Sequence, residues 1–179
     1  VRRFAYGSFP KRYPRVKHGE RLWSLDTEFF LKTKGRRFGN HLLPADDPFA
    51  VRNGDLLDLY HPAQTLSEQT PFLRLNMLDY PGSGTPELFD RMARTARDAF
   101  AMLEILWESM GCRLADFKIE FGHGADGRLL IADVIDNDSW RLLENGEHLD
   151  KQAYRDGLPL NEVRRRYERV AELSARLVP

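Results

Sequence analysis

An α+β fold is predicted for this 179-residue chain on three observations. Apolar residues recur at helical spacing over residues 85–110 and again over 161–177, and between them residues 115–121 alternate strictly between apolar and charged before a second β-favouring run over 128–136. The expected architecture is an antiparallel sheet with a charged hairpin, backed by helices. The chain is 42% hydrophobic and 11% aromatic, enough for a sizeable core in one domain spanning residues 1–179. Its 27 Lys plus Arg balance 27 Asp plus Glu, which removes the electrostatic footprint of a general nucleic-acid binder while leaving room for a local basic patch. Mean hydropathy is −0.52, and no apolar run approaches the roughly 20 residues of a membrane helix. The single cysteine, Cys112, cannot form an internal disulfide and no Cys/His zinc framework accompanies it, so a reducing, cytoplasmic setting is expected.

Taken in order, the chain opens with a β-favouring segment closed by Gly7-Ser8, loops around Pro14 and Gly19, and is expected to form a strand over residues 27–32. Residues 35–84 are punctuated by Gly and Pro, which predicts a long irregular excursion with short strands near 55–60 and 72–78. The first long helix has Thr85 to cap it and Pro86 at its first position, carries Leu88, Met92, Ala96, Ala99, Leu103, Leu106 and Met110 on its core face, and ends at Gly111. The last helix, over 161–177, turns Val163, Tyr167, Val170, Ser174 and Leu177 inward and leaves the Arg164-Arg165-Arg166 triplet on a solvated face. Gly82-Ser83-Gly84-Thr85 lacks a preceding strand and a Walker lysine, so it reads as loop plus N-cap. The five histidines show no metal-ligand spacing and no serine sits in a nucleophile elbow, which disfavours covalent serine or cysteine catalysis.

The chemical signal is the predicted hairpin. Period-two geometry sends Ala115, Phe117, Ile119 and Phe121 to the core and Asp116, Lys118 and Glu120 to the other face. An even-length connection would bring Asp133 to the charged side and an odd one would turn it inward; burial of a lone carboxylate is costly, so the even register is expected. A salt-bridged, solvent-exposed face would look similar. Asp133, however, is flanked by Ile131, Ala132, Val134 and Ile135, and carboxylates crowded in an apolar setting favour a cation or a raised pKa. All-oxygen ligation suits Mg2+, so Glu120 and Asp133 are the metal candidates. Further on, Lys151 and Arg155 sit at i and i+4 of a short helical turn, where an anion such as phosphate would relieve their repulsion; the alternative is two solvated cations.

Three blocks carry a family resemblance: Leu114-Ala115-Asp116-Phe117-Lys118-Ile119-Glu120-Phe121-Gly122, then Ala132-Asp133-Val134-Ile135-Asp136-Asn137-Asp138-Ser139-Trp140-Arg141-Leu142, then Asp150-Lys151-Gln152-Ala153-Tyr154-Arg155. They closely resemble SAICAR synthetase, the phosphoribosylaminoimidazole-succinocarboxamide synthase family of purine biosynthesis. Val1-Arg2-Arg3-Phe4-Ala5-Tyr6-Gly7-Ser8-Phe9, Lys11-Arg12 and Glu28-Phe29-Phe30-Leu31-Lys32 resemble the segment just after that family's ATP-lobe hinge. The resemblance implies ATP-dependent, Mg2+-assisted ligation of carboxyaminoimidazole ribonucleotide to aspartate through an acyl phosphate. It implies Glu120 and Asp133 as Mg2+ ligands and Asp116 and Lys118 as substrate-orienting residues beside them. Arg2, Ser8, Arg141 and Arg155 would grip the nucleotide substrate and its phosphate, with Lys151 and Asp138 also in the substrate set and Asp47, before Pro48, matching an Asp-Pro near the amino-acid site.

A full member of that family carries a preceding β-rich lobe with a glycine-rich strand and a lysine over ATP. The chain is therefore expected to be a carboxyl-terminal lobe whose amino-terminal ATP lobe is supplied in cis or in trans. Two other readings stay open: a related ligase with another carboxylate or amine, and a catalytically silent lobe that binds nucleotide phosphates or a partner chain.

Overall fold

The computed structural model describes residues 1–32, 37–38, 41–44, 46–77 and 86–176. Its elements run β1 (Arg2–Phe4), α1 (Phe9–Arg12), β2 (Arg21–Asp26), β3 (Phe29–Phe30), β4 (Arg37–Phe38), β5 (His41–Leu42), β6 (Phe49–Asn53), β7 (Leu56–Tyr60), β8 (Leu73–Asn76), α2 (Pro86–Ser109), β9 (Cys112–Phe117), β10 (Phe121–His123), β11 (Leu129–Ile131), β12 (Trp140–Glu144), β13 (Glu147–His148), α3 (Gln152–Arg155) and α4 (Leu160–Ala175). They form two compact units. The first comprises Val1–Phe4, Leu22–Leu25 and Thr95–Pro179, and the second Ala5–Arg21 and Asp26–Arg94.

The first unit is built on a five-stranded sheet in the order β13-β12-β9-β1-β2. β9 lies between β1 and β12, antiparallel to both. Its core gathers Phe100 and Trp107 from α2, Leu114 and Phe117 from β9, Leu142 from β12, and Val170 and Leu173 from α4. Truncating Phe100 or Trp107 to alanine is worth about 3–5 kcal/mol on the usual scale for buried aromatics. The β12–β13 hairpin turns through Asn145 (φ 52°) and Gly146 (φ 86°). Positive φ at both central positions is the type I′ geometry that matches strand twist, and Asn-Gly tolerates it best.

The second unit holds a four-stranded sheet in the order β3-β6-β7-β8. Ala50, Leu57, Leu59, Leu75 and Met77 pack there with Leu43 and with Phe89 from the first turn of α2. The short strands expected near 55–60 and 72–78 are β7 and β8. The strand expected over 27–32 shrinks to Phe29–Phe30, and β2 is an additional strand, pairing through a segment that reads as loop because Gly19 and Pro14 precede it.

The single long hairpin expected over 114–136 is corrected. β9 ends at Phe117, and β12 and β1 occupy both of its edges, with Trp140 opposite Phe117 and both Arg141 and Arg2 opposite Asp116, so residues 128–136 find no edge of β9 to pair with. β10 and β11 then pair only with each other, Phe121 opposite Ile131 and His123 opposite Leu129. The intervening residues 124–128 are odd in number, so the expected even register is overturned. Continued as a strand, that register would carry Asp133 to the side of Ile119. Instead β11 ends at Ile131, Ala132 N–H donates to Glu120 O at 2.9 Å, and Asp133 lies exposed in the turn that follows.

Helix α2 starts at Pro86 and is stopped by Gly111 (φ 77°) as expected; the Gly82–Thr85 loop lies outside the described residues. Its buried face is wider than the expected stripe: Leu88 and Ala96 are buried and Met92, Ala99, Leu103 and Met110 pack against the cores as expected, Phe89, Phe100 and Trp107 are buried as well, and Leu106 alone of the expected set is 39% exposed. In α4 the buried pair is Val170 and Leu173. Arg164 and Arg165 do pair with Glu168 and Glu162 on an exposed face. Arg166 departs from the solvated-triplet expectation, because its Nη1 donates to His148 O at 2.6 Å and ties α4 to β13.

Candidate functional site

In the first unit the strand registers place Arg2 and Arg141 on either side of Asp116. Arg141 Nη1 donates to both Asp116 carboxylate oxygens at 2.8 Å, and Arg2 Nη1 lies 3.5 Å from Oδ2. Asp116 is only 8% exposed. Buried carboxylates persist when charged donors saturate them, so its direct contacts are with the two guanidinium groups, which it holds in one cross-strand row.

Past the end of β9 the chain turns into a pocket of about 260 Å³ lined by Lys118, Glu120, Asp133, Val134, Asp136, Asp138 and Ser139. Lys118 N–H donates to Ser139 O at 2.7 Å, joining the two segments. Lys118 Nζ lies 2.6 Å from Glu120 Oε1. Asp133 Oδ1 accepts the Val134 N–H at 2.9 Å. The 134–139 turn is locked on itself: Asp136 Oδ1 accepts the Asp138 N–H at 2.9 Å, and Ser139 Oγ donates to Val134 O at 3.1 Å.

Asp138 closes one side of the pocket. Lys151 Nζ reaches its Oδ2 at 2.8 Å and Tyr167 Oη donates to its Oδ1 at 2.9 Å. Lys151 first, and Tyr167 second, hold the Asp138 carboxyl below the usual carboxylate range. Burial, then the bond to Asp138, pushes the Tyr167 phenol up to about 12. Lys151 thus has an internal counter-ion. The Arg155 side chain is exposed and forms no ion pair among the described residues.

The Lys151–Arg155 turn is anchored from beneath by Asp150, 1% exposed. It accepts N–H bonds from Leu142 at 2.9 Å and Gln152 at 2.7 Å and meets His148 Nδ1 at 3.1 Å. Asp150, Asp136 and Tyr167 were not among the site residues read from the sequence. Asp150 and Asp136 sit inside the quoted blocks, while Tyr167 shows only as one inward position of a helix.

Two predicted site residues belong to the second unit. Ser8 Oγ accepts a bond from Arg12 Nη1 at 2.7 Å, and Asp47 Oδ2 pairs with Lys32 Nζ at 3.3 Å. The structure therefore brings Lys118, Glu120, Asp133 and Asp138 together, with Lys151 on Asp138, and separately gathers Arg2, Asp116 and Arg141.

As a cation site the pocket offers hard oxygen donors. Among the described residues no three His, Cys, Asp or Glu side chains converge as a complete cage. That donor set suits Mg2+, which keeps several waters and uses one or two carboxylates plus substrate oxygens; Glu120 and Asp133 fit that role.

Mixed helices with antiparallel sheets, and an acidic pocket bordered by lysine, define an α+β protein. A family model described as SAICAR synthetase matches residues 68–173, and the chain belongs to that family. A phosphoribosylaminoimidazole-succinocarboxamide synthase of Chloroflexus aurantiacus is 35% identical over 184 residues, covering 98% of this chain and 61% of that protein. The chain thus spans about three fifths of the length of this relative. Among solved structures, phosphoribosylaminoimidazole-succinocarboxamide synthase from Ehrlichia chaffeensis superposes with a TM-score of 0.69 at 25% identity, over 96% of this chain and 60% of that one. A Type-2 SAICAR synthetase in complex with ADP shares the fold at a TM-score of 0.59 and 20% identity, over 96% and 59% of the respective chains. Among the described residues no helix is long and apolar enough to cross a membrane.

Proposed function

We propose that this chain is the substrate- and metal-binding, carboxyl-terminal lobe of an ATP-dependent carbon–nitrogen ligase. The reaction joins the carboxylate of carboxyaminoimidazole ribonucleotide to the amine of aspartate. The observation that carries the reading is the pocket shared by Lys118, Glu120 and Asp133 in a chain of the SAICAR synthetase family. The ADP-bound relative supports the use of an adenine nucleotide, with the ATP lobe supplied in cis or in trans.

A carboxylate is a poor electrophile. Transfer of the ATP γ-phosphoryl group to its oxygen gives an acyl phosphate and ADP; the aspartate amine then attacks the acyl carbon, phosphate departs, and the amine loses a proton as the amide forms. Bound at Glu120 and Asp133, Mg2+ would offset negative charge on phosphoryl and carboxylate oxygens. Lys118, on its flexible stem, adds a cation at the pocket rim while its pairing with Glu120 limits its wandering. Asp116 keeps Arg2 and Arg141 aligned as planar donors for anionic groups of the nucleotide substrate. Arg155 supplies an uncommitted cation for the phosphate, and Lys151, steadied by Asp138, stands one helical turn away. Ser8 and Asp47 serve the nucleotide and the amino acid respectively.

The test is turnover by the full-length protein with ATP, carboxyaminoimidazole ribonucleotide and aspartate. Formation of the succinocarboxamide product supports the reading. Turnover only with a different carboxylate or amine makes the protein a related ligase, and ATP-independent nucleotide binding without any turnover makes it a silent lobe.

A further inference from the structure

Arg12 is a charged side chain with no part in the reaction above, yet it is 1% exposed. Its Nε and Nη2 donate to Glu28 Oε1 at 3.0 and 2.6 Å, and its Nη1 donates to Ser8 Oγ at 2.7 Å and to Pro62 O. The guanidinium carbon lies 5.2 Å from the Phe30 ring centre and 5.0 Å from that of Phe49. The Glu28 side chain is itself 5% exposed. Burying such a pair is weak evidence of a gain in stability, because desolvation offsets most of the attraction. What it does provide is a fixed direction.

Ser8 sits at the N-cap position of α1 but makes no side-chain capping bond. The usual use of an N-cap serine, accepting a backbone N–H of the first turn, is therefore not its use here. Its oxygen accepts from Arg12, which has five N–H donors and no acceptor. The hydroxyl hydrogen cannot point back at the guanidinium, so it must point elsewhere. A hydroxyl that accepts from a cation is also polarised into a better donor.

We propose that Arg12, braced by Glu28, is a positioning residue that sets the Ser8 hydroxyl as a hydrogen-bond donor to an acceptor oxygen of the nucleotide substrate. This rests on the reading of Ser8 as a nucleotide-substrate contact and goes beyond it by naming what orients the contact and in which sense it bonds. Lysine in place of Arg12 keeps the charge but cannot span Glu28, Pro62 and Ser8 at once.

The experiment is a double-mutant cycle on the full chain, with the dissociation constant for carboxyaminoimidazole ribonucleotide measured by calorimetry and a thermal melt of each variant. Ser8→Ala and Arg12→Lys should each weaken binding about tenfold, and the double variant also about tenfold instead of a hundredfold, because the second change removes a partner already lost. Ser8→Thr, which keeps the hydroxyl, should bind within about twofold of the wild type. If Arg12→Lys melts below the assay temperature, Glu28→Gln replaces it in the cycle with the same expectation. Independent, multiplicative losses overturn the proposal, as does an Arg12 variant that folds and binds like wild type. A wild-type protein that does not bind the nucleotide at all overturns the ligase reading and this proposal together, whereas binding without turnover counts against the ligase reading alone and leaves the cycle readable.

Discussion

Asp116 and Asp133 are two carboxylates of the same unit with opposite surroundings. Asp116 is buried between Arg2 and Arg141, with a guanidinium nitrogen 2.8 Å from each oxygen. Asp133 is exposed, its Oδ1 accepts the N–H of the next residue, and it lines a pocket with Glu120 and Lys118. A carboxylate whose lone pairs are filled by protein donors organises the protein, and one that keeps them accessible can organise a ligand. The contrast separates Asp116, which builds the arginine row, from Asp133, which the proposed function pairs with Glu120 as a cation ligand.

The sharpest test removes the accessible carboxylates. In the full-length protein Glu120→Ala and Asp133→Ala should each lower ligation roughly 1000-fold, about 4 kcal/mol of transition-state stabilisation, while the melting temperature stays within a few degrees. Near-normal turnover with Mg2+ would erase the distinction. Asp116→Ala should do the reverse, removing the carboxylate that two part-buried guanidinium groups share and costing about 3 kcal/mol of stability, read as a lowered urea midpoint. An unchanged midpoint would mean the row does not need its centre.

Arg155 extends the comparison to cations, since Lys151 has Asp138 and Arg155 has no such ion pair among the described residues. Arg155→Ala should weaken nucleotide binding by about 2 kcal/mol, the scale of a charged hydrogen bond, with the KM for aspartate unmoved; a merely solvated arginine would cost less than about 0.5 kcal/mol. Equal rises in both KM values would place Arg155 between the substrates.

The smallest effect belongs to Tyr167, whose phenol is pushed up to about 12 from an ordinary 10.0. The fold favours the protonated phenol, so its contribution is complete below pH 10 and is lost as pH rises from about 10 through about 12. Asp138 works at the other end: its carboxyl is held down, so its contribution is present above the ordinary carboxylate range and lost as pH falls through the lowered value. Tyr167→Phe should flatten the alkaline slope in urea titrations and cost less than about 1 kcal/mol at pH 7. A slope identical to wild type would disconnect Tyr167 from Asp138.

The local signals were legible where one stretch of chain decides its own conformation. Pro86 and Gly111 bracket α2, and the helical spacing around Val170 marks α4. The hairpin over 114–136 was misread because its alternation is real in both halves, while strand partnership is a contest between distant segments: Trp140 and Arg141 win the edge of β9 that residues 128–136 would have taken. The α2 stripe is wider than its helical spacing suggests for a similar reason, since Phe89, Phe100 and Trp107 also turn inward once cores exist to receive them. Of the site, the acidic residues could be named from their blocks. That Asp116 is spoken for by two arginines, and that Arg12 stands behind Ser8, depends on contacts between segments far apart in sequence.

The placement of β1 beside β9 bears on how the molecule comes to be folded during synthesis. Phe117 N–H donates to Val1 O, and the Val1 nitrogen donates to Phe117 O, both at 2.9 Å. The β6–β7 hairpin can form as soon as Leu56–Tyr60 has left the ribosome. The first strand can pair early with β2 on one edge, but its other edge must wait for more than a hundred further residues before β9 exists, and contacts of such long sequence separation form slowly. Until then Arg2–Phe4 presents one unpaired backbone edge, and a nascent chain in that condition is a candidate for holdase chaperones and for strand exchange with a neighbouring copy.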